Sequence, residues 1–300
     1  MLAQLRRFAR DRRAAVLLEG ESGTGKTQLA RQLHKSSPRS RGPYHYIVLS
    51  TLDDTLASSE LFGHVVGAFT DARASRSGHF VTASGGTLFL DEIGKASAAV
   101  QQKLLHAIEY GEIRPVGSDR EVRVDVRLVA ATNVPLEDLV TEGRFLGDLH
   151  ARLNAFRIRL PSLRERRTDI PVLVRHYVAL QSPWCGYATP PAIDPTLMDA
   201  LQAADWPNNL RQLSSTVHRL LVDAEGAERL TLEHCDDDLA YLRGARRRGR
   251  PALSDDAVTA AVRNAGSVSG AARILGVDRT TIYRMWKRDG RPPDECAGTG

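Results

Sequence analysis

The chain has 300 residues, 42% of them hydrophobic, and a formal net charge of +5. This length and composition predict a soluble globular protein of two or three domains. No apolar run is long enough to cross a bilayer, no secretory signal is recognisable, and the three scattered cysteines form neither a disulfide framework nor a zinc motif. We therefore expect a protein of the reducing cytoplasm that has no membrane contact.

The first 160 residues alternate short apolar runs with longer amphipathic segments. We predict strands at 14–18, 47–49, 87–90 and 126–131. This alternation is typical of a mostly parallel sheet covered by helices. The expected fold class is α/β, with residues 1–160 as the first domain.

A glycine-rich segment follows the first predicted strand. It fills the pattern Gly, four residues, Gly, Lys, Ser/Thr with Gly20, Glu21, Ser22, Gly23, Thr24, Gly25, Lys26 and Thr27. Such glycines let several backbone N–H groups face one phosphate, and the next helix directs its positive end there. We expect Lys26 to reach the β- and γ-phosphates and the Thr27 hydroxyl to ligate Mg²⁺. The segment predicts a nucleoside triphosphate site, the alternative being a turn that matches by chance.

Polar residues follow the third and fourth predicted strands. Asp91 and Glu92 come after the third, where we expect Asp91 to hold Mg²⁺ through its water shell and Glu92 to polarise the attacking water. Asn133 follows the fourth and is expected to sense the γ-phosphate. An asparagine after a strand is also an ordinary turn former. Together these residues predict hydrolysis of the triphosphate.

Beyond residue 160 the composition changes three times. Residues 161–242 are predicted to contain helices only, with breaks at 182–195 and at Trp206 and Pro207, and to form a smaller domain. The arginine- and glycine-rich stretch 243–252 predicts a flexible basic linker. We expect a compact module at 253–290 and a disordered tail at 291–300.

The basic excess of the chain lies in its last sixth. Residues 243–291 hold 12 Lys or Arg and 4 Asp or Glu, a net charge of +8, which leaves −3 for the remainder. Concentrated positive charge favours binding to DNA, although a solvated basic tail has the same composition. Small Ala271 and Ala272, Gly276 and a capping Asp278 predict a helix-turn-helix, the alternative being a three-helix bundle with a charged surface. The residues expected at the DNA are Arg279, Thr280, Thr281, Arg284, Lys287 and Arg288.

Residues 1–242 resemble the AAA+ domain of bacterial sigma-54-dependent transcription activators, the enhancer-binding proteins. The resemblance rests on 20–26, 59–64, 67–70, 85–94, 126–133, 160–166 with Asp169 and Ile170, and 206–213. The C-terminal module resembles the Fis-type domain that ends many of these activators. The resemblance implies an α/β ATPase domain with a helical lid that uses ATP and Mg²⁺ and forms a ring, usually a hexamer. It also implies a regulator that binds upstream DNA and remodels RNA polymerase bearing sigma-54.

The resemblance also assigns roles to individual residues. The loop that contacts sigma-54 corresponds to Gly67, Ala68, Phe69, Thr70, Asp71 and Ala72. Arg152 corresponds to the arginine finger that completes a neighbour's site, and Arg211 to the sensor II residue. We expect no N-terminal receiver or ligand-sensing domain, so control would come from expression level or a partner.

Four positions depart from the family pattern. Asp71 replaces a glycine of the Gly-Ala-Phe-Thr-Gly-Ala loop, and Val48 replaces the asparagine that switches Glu92. Leu146 replaces the first of two usual arginines, and Asn208 replaces a glycine before the sensor II helix. These departures leave an alternative open: a DNA-binding regulator that uses nucleotide for assembly, with weak or no ATPase activity and no sigma-54 contact.

Overall fold

The computed structural model describes residues 2–70, 72–235, 239 and 242. Its helices are α1 (Leu2–Ala9), α2 (Lys26–Lys35), α3 (Asp54–Phe62), α4 (His79–Thr82), α5 (Ala98–Tyr110), α6 (Leu136–Thr141), α7 (Gly147–Leu153), α8 (Ile170–Gln181), α9 (Pro195–Ala203) and α10 (Asn209–Asp223). Its strands are β1 (Val16–Glu19), β2 (Tyr44–Val48), β3 (Gly63–His64), β4 (Arg76–Ser77), β5 (Thr87–Asp91), β6 (Glu112–Ile113), β7 (Val122–Arg123), β8 (Arg127–Thr132), β9 (Phe156–Arg159), β10 (Ala192–Ile193) and β11 (Arg229–Leu230).

A five-stranded parallel sheet organises the N-terminal part of the chain. The strand order is β2-β5-β8-β1-β9, and each neighbouring pair is parallel. Val129 of β8 lies opposite Val16 of β1 on one side and Phe89 of β5 on the other. Because parallel strands share one carboxyl edge, the segments after β1, β8 and β5 are neighbours in space. The predicted α/β class is confirmed.

The four predicted strands are present with shifted ends. The largest shift is in β2, which begins three residues earlier than predicted, and Asp91 and Thr132 end β5 and β8 instead of following them. The edge strand β9 was missed because it alternates arginine with apolar residues and buries only Ile158. A half-exposed edge strand lacks the continuous apolar run that marks a central parallel strand.

The sheet is buried on both faces. Leu17, Leu88 and Ala130 belong to a core shared with α3, α5 and α7. Phe89 and Val129 belong to a second core, shared with α1 and α2. Successive residues of one strand point to opposite faces, so the apolar runs supply both cores.

A buried guanidinium ties α1 to the sheet. Arg127, only 1% exposed, donates from Nη1 to the carbonyl of Ala9 at 3.1 Å and from Nη2 to that of Phe8 at 2.6 Å. The last carbonyls of a helix have no intrahelical donor, and Arg127 supplies one to Ala9 and a second one to Phe8, whose carbonyl also accepts the Asp11 N–H at 3.3 Å. The Phe8 ring also stacks on Phe156, with ring centroids 4.3 Å apart. Burial lowers the pKa of Arg127 from its ordinary value.

The described residues separate into two compact units. The first holds residues up to 191 together with 205–228, and within it α8 packs against α10. The second holds α9 and the parallel pair of β10 and β11. This short pair corrects the expectation that 161–242 contain helices only, because the prolines before β10 disfavour helix and leave the chain extended. The domain boundaries given above stay predictions.

Several predicted segments lie outside the described residues. They are the linker 243–252, the helix-turn-helix module 253–290, the tail 291–300 and Asp71. The predicted helix breaks fall between α8 and α9 and between α9 and α10. Every helix in the described part of the chain is too short or too polar to span a membrane.

Candidate functional site

The glycine-rich loop runs from the end of β1 to the start of α2. Gly23 has φ +76°, and a Cβ there would lie 2.2 Å from the carbonyl oxygen of Asn208. Gly25, also at positive φ, precedes the first turn of α2 and leaves its N–H groups without a side-chain cap. Thr24 is buried and donates its hydroxyl to the Glu21 carbonyl at 2.8 Å. The loop therefore turns tightly and aims backbone donors at one point.

Lys26 is the first residue of α2, and its ammonium group lies inside the loop. Its Nζ donates to the carbonyls of Gly20 at 2.6 Å and Glu21 at 3.0 Å. Burial lowers the pKa of Lys26 from its ordinary value, while the nearby carboxylates of Asp91 and Glu92 act in the opposite direction. The geometry brings together the cation and the acidic pair that the sequence placed 65 residues apart.

The acidic pair lies at the carboxyl end of β5. Asp91 accepts the Glu92 N–H on Oδ1 at 3.0 Å and the Tyr46 hydroxyl on Oδ2 at 3.3 Å. Glu92 adopts φ +56°, a left-handed conformation that is uncommon for a residue with a side chain. Strain of this kind persists where surrounding structure enforces it, and it concentrates at functional sites.

A cavity of about 330 Å³ brings together most of the residues predicted for the nucleotide site. Its lining comprises Ser22, Gly23, Gly25, Lys26, Thr27, Gln28, Asp91, Glu92, Asn133, Tyr177, Leu210, Arg211 and Ser214. Arg211, at the start of α10, donates from Nη1 to the Ser22 hydroxyl at 3.2 Å. The sequence identified the loop, the acids, Asn133 and Arg211 but missed Gln28, Tyr177, Leu210 and Ser214 as lining residues.

Asn209 joins three segments around the loop and was also missed. Fully buried at φ +51°, it accepts the Leu163 N–H on Oδ1 at 2.7 Å. Its Nδ2 donates to the Ser22 carbonyl at 2.9 Å and to the Glu21 carboxylate at 3.2 Å. The Glu21 carboxylate also pairs with both Arg164 amino groups, and hydrogen bonds from Arg164 and Asn209 lower its pKa. A backbone bond from Leu210 N–H to the Gly23 carbonyl, 2.9 Å long, completes the link to α10.

Arg152 does not reach the cavity of its own chain. It lies on α7, more than half exposed, and its Nη2 pairs with Glu109 Oε1 at 2.9 Å. Leu146, at the start of the same helix, is half-buried and packs on the core of α3, α5 and α7. The prediction that Arg152 completes a neighbouring subunit's site stays a prediction.

The turn between the antiparallel strands β3 and β4 contains residues 67–70 and 72 of the described part of the chain. Gly67, at φ +80°, donates its N–H to the Ala72 carbonyl at 2.9 Å, and Ala72 donates to Phe69 at the same distance. The Phe69 ring meets His64 edge-on with centroids 4.9 Å apart, while Gly67 and Thr70 are exposed. The turn presents a surface separate from the cavity lining.

Known proteins share both sequence and fold with this chain. The Sigma-54 interaction domain model matches residues 1–159, and the AAA+ ATPase lid domain model matches residues 164–250. The anaerobic nitric oxide reductase transcription regulator NorR of Klebsiella pneumoniae (strain 342) is 45% identical over 71% of this chain and 41% of its own length. The transcriptional regulatory protein ZraR of Klebsiella oxytoca is 42% identical over 92% of this chain and 63% of its own. The DNA-binding transcriptional regulator NtrC of Klebsiella pneumoniae is 40% identical over 92% and 65%.

Solved structures agree with these sequence relatives. NtrX from Brucella abortus in complex with ADP superposes with a TM-score of 0.74 at 30% identity, covering 96% of this chain and 67% of that one. The same protein in complex with ATP gives a TM-score of 0.75 at 29% identity with the same coverage. The chain spans about two-fifths to two-thirds of the length of the curated relatives named above.

The family resemblance inferred from the sequence motifs is confirmed for the α/β domain and the helical lid. The Sigma-54 interaction domain model covers more than half of the chain, and the parallel sheet carries its motifs on the expected strand ends. The chain belongs to the family of sigma-54-dependent transcriptional activators.

Proposed function

We propose that the chain is an ATP-hydrolysing transcriptional regulator that binds upstream DNA and remodels RNA polymerase bearing sigma-54. The observation that carries this proposal is the convergence of Lys26, Asp91, Glu92, Asn133 and Arg211 on one cavity. Three of these residues end or follow neighbouring parallel strands, and the other two come from α2 and α10. Lys26 and Arg211 supply positive charge, and the acids supply oxygen ligands.

The residues of the site fit a triphosphate with Mg²⁺. Uncapped N–H groups at the start of α2 and the Lys26 ammonium suit phosphate oxygens. Thr27 and Asp91 line the same cavity and offer the hard oxygen donors that Mg²⁺ prefers. Bound Mg²⁺ would neutralise negative charge on the phosphates. Relatives solved with ADP and ATP share the fold, which supports the same ligand class here.

Each residue has a distinct task in hydrolysis. Lys26 binds the β- and γ-phosphates, and Glu92 accepts a hydrogen bond from the attacking water and orients it. Asn133 contacts the γ-phosphate or that water, so β8 senses whether the phosphate is present. Arg211 donates to the phosphates from α10 and thereby links the bound nucleotide to the lid helices.

Turnover measurements test the enzymatic part. We expect the wild type to hydrolyse ATP and Glu92→Gln to bind ATP normally while turnover falls by about 100-fold or more. Lys26→Ala should lose nucleotide affinity as well. Wild-type protein that binds ATP without measurable turnover would reject the hydrolytic proposal.

We further propose that Arg152 completes the site of a neighbouring subunit in a closed ring, for which the family resemblance implies a hexamer. Arg152→Ala alone should lower turnover by about 1,000-fold. Mixing Arg152→Ala with Glu92→Gln should restore part of the activity, because an intact Glu92 and an intact Arg152 then meet at shared interfaces. Mixtures as inactive as the separate variants would contradict action between subunits.

Contact with sigma-54 is assigned to the turn 67–72. Its exposed Gly67 and Thr70 and its separation from the cavity suit a protein-contacting role. The purified chain is expected to open a promoter complex formed with sigma-54 polymerase when ATP is present. ATP turnover without opening of the promoter complex would mean that the ATPase remodels a target other than sigma-54 polymerase. If Asp71→Gly protein opens the complex and the wild type does not, Asp71 in this loop is what prevents sigma-54 contact.

DNA binding is assigned to residues 279–288. If Arg279 or Arg284 reads a guanine, substitution by alanine lowers specific binding by about 1 to 3 kcal/mol. Footprinting on a selected binding site measures this loss. Unchanged footprints in both variants would reject the proposed contacts.

One alternative has a specific observation in its favour. Val48 lies opposite Asp91 in the sheet and offers no hydrogen bond to the acidic pair, and Leu146 is apolar where the family has arginine. A regulator that binds nucleotide in order to assemble, without ATP turnover or sigma-54 contact, would tolerate valine at position 48 and leucine at position 146. Nucleotide-dependent oligomers of an ATPase-inactive wild type would support this alternative.

A further inference from the structure

Tyr46 contacts the acidic pair from outside the cavity. Its hydroxyl donates to Asp91 Oδ2 at 3.3 Å, although Tyr46 is not among the residues that line the cavity. Its ring stacks on Phe89, with centroids 5.3 Å apart and planes within 14°. Phe89 is fully buried and lies two residues before Asp91 on the same strand, so the stack fixes the direction in which the phenol points.

The register of the sheet explains why Tyr46 makes this contact. Val48 is directly opposite Asp91 and Tyr46 is directly opposite Phe89. Alternate residues of a strand share a face, so Tyr46 and Val48 point to the same side as Asp91. Tyr46 begins about 6.6 Å further back along the strand, a distance that its long ring bridges. The aliphatic Val48 offers Asp91 no hydrogen bond although it lies directly opposite, whereas the phenol of Tyr46 donates one.

Tyr46 and the backbone together hold both carboxylate oxygens of Asp91. Oδ1 accepts the Glu92 N–H and Oδ2 accepts the Tyr46 hydroxyl. A carboxylate has about four lone-pair sites, so two bonds leave others directed elsewhere. Held at both oxygens, the side chain keeps one orientation beside Lys26 and Thr27, which share its cavity.

We propose that Tyr46 is a positioning residue of this site, whose hydroxyl fixes the Asp91 carboxylate for Mg²⁺-dependent nucleotide binding. The inference rests on the proposed nucleotide-binding function and adds a residue that the family motifs do not contain. Tyr46 acts through Asp91 and does not touch the nucleotide.

The test compares Tyr46→Phe with the matched control Tyr44→Phe, which removes a hydroxyl from the same face of the same strand. Affinity for ATP is measured by titration with Mg²⁺ and again with EDTA. We expect Tyr46→Phe to weaken Mg²⁺-dependent affinity about tenfold and the affinity in EDTA by less than about twofold. Tyr44→Phe should change neither. Both variants keep the aromatic ring, and an unchanged thermal midpoint checks that they are folded.

A double-mutant cycle with Asp91→Asn identifies the route of the effect. If Tyr46 acts through the carboxylate, Tyr46→Phe causes little further loss once Asp91 is replaced. Equal weakening with Mg²⁺ and EDTA, no weakening, or fully additive losses would each overturn the positioning role. Wild-type protein that binds no nucleotide would overturn the proposed function as well, whereas wild-type binding with an unaffected Tyr46→Phe would overturn this inference alone.

Discussion

Replacing Arg127 by methionine tests whether the buried guanidinium stabilises the fold. The substitution removes two hydrogen bonds from a charged donor to the carbonyls of Phe8 and Ala9. Bonds of this kind contribute about 1.5 to 3 kcal/mol each. The Ala9 carbonyl at the end of α1 loses its donor, whereas the Phe8 carbonyl keeps the Asp11 N–H. The gross loss is therefore about 3 to 6 kcal/mol.

Part of this loss is offset because the guanidinium is itself costly to bury. Burial is the largest cause of the lowered pKa of Arg127, and methionine of similar volume carries no such penalty. The packing of Leu5 and Phe8, including the stack on Phe156, is retained. We expect a net loss of about 2 to 4 kcal/mol in the free energy of unfolding.

Urea denaturation with linear extrapolation measures the effect, and hydrogen exchange of the α1 amides reports its location. The matched control is Arg7→Met, on the same helix, where the exposed guanidinium stands over the Phe8 ring at 5.1 Å and should contribute less than about 1 kcal/mol. Arg127→Met protein as stable as the wild type would refute the reasoning, since desolvation would then outweigh both hydrogen bonds.

Three further predictions follow from the same contacts. Asn209→Ala should lower the free energy of unfolding by about 2 to 4 kcal/mol, because it breaks the bonds to Leu163 and Ser22 and leaves alanine at positive φ. The control Asn208→Ala, at an exposed position, should leave the free energy of unfolding unchanged. Equal urea midpoints for the two variants would contradict this prediction. Gly23→Ala should abolish binding of a fluorescent ATP analogue, because a Cβ at residue 23 would lie 2.2 Å from a backbone oxygen. Gly25→Ala should weaken binding less, because a Cβ at residue 25 would meet a Leu210 methyl at 3.4 Å. Weaker binding by Gly25→Ala than by Gly23→Ala would exclude the backbone clash as the cause. Backbone N–H groups of Ala14 and Arg13 lower the pKa of Asp11 below 3.8, so its contribution to stability is present above that pH and is lost as the pH falls through the lower native value. Asp11→Asn should therefore show a flatter loss of stability in acid urea titrations, and an unchanged pH profile would disprove the linkage.

Much of the fold could be predicted because parallel strands and the phosphate loop have local signatures. The runs that became β1, β5 and β8 are apolar on both faces, and the polar residues at their ends follow directly. β9 could not be predicted in this way, because only Ile158 is buried and its partner β1 lies about 140 residues earlier in the chain. The order of strands in the sheet could not be predicted either, because it depends on pairing between segments that are far apart in the chain.

The residues of the site divide along the same line. Lys26 and Asp91 belong to motifs whose chemistry can be recognised in a short stretch of sequence, and Arg211 was assigned through the family resemblance. The contact of Tyr46 with Asp91 can be recognised only from the register of β2 on β5, which brings the Tyr46 hydroxyl to the Asp91 carboxylate. Tyr177 lines the cavity from α8, where it occupies an ordinary helical position. Contacts of this kind depend on three-dimensional packing and leave no pattern in the chain.

The single amide of Asn209 has a mechanical consequence. Its Nδ2 donates to the Ser22 carbonyl while its Oδ1 accepts the Leu163 N–H, and Asn209 is the first residue of the helix that carries Arg211. Because the first turn of α10 is bonded to the glycine-rich loop, we expect a tilt of this helix to displace the loop. If nucleotide binds as proposed, a shift of the loop on phosphate binding should move the start of α10 through Asn209 and the neighbouring Leu210–Gly23 bond.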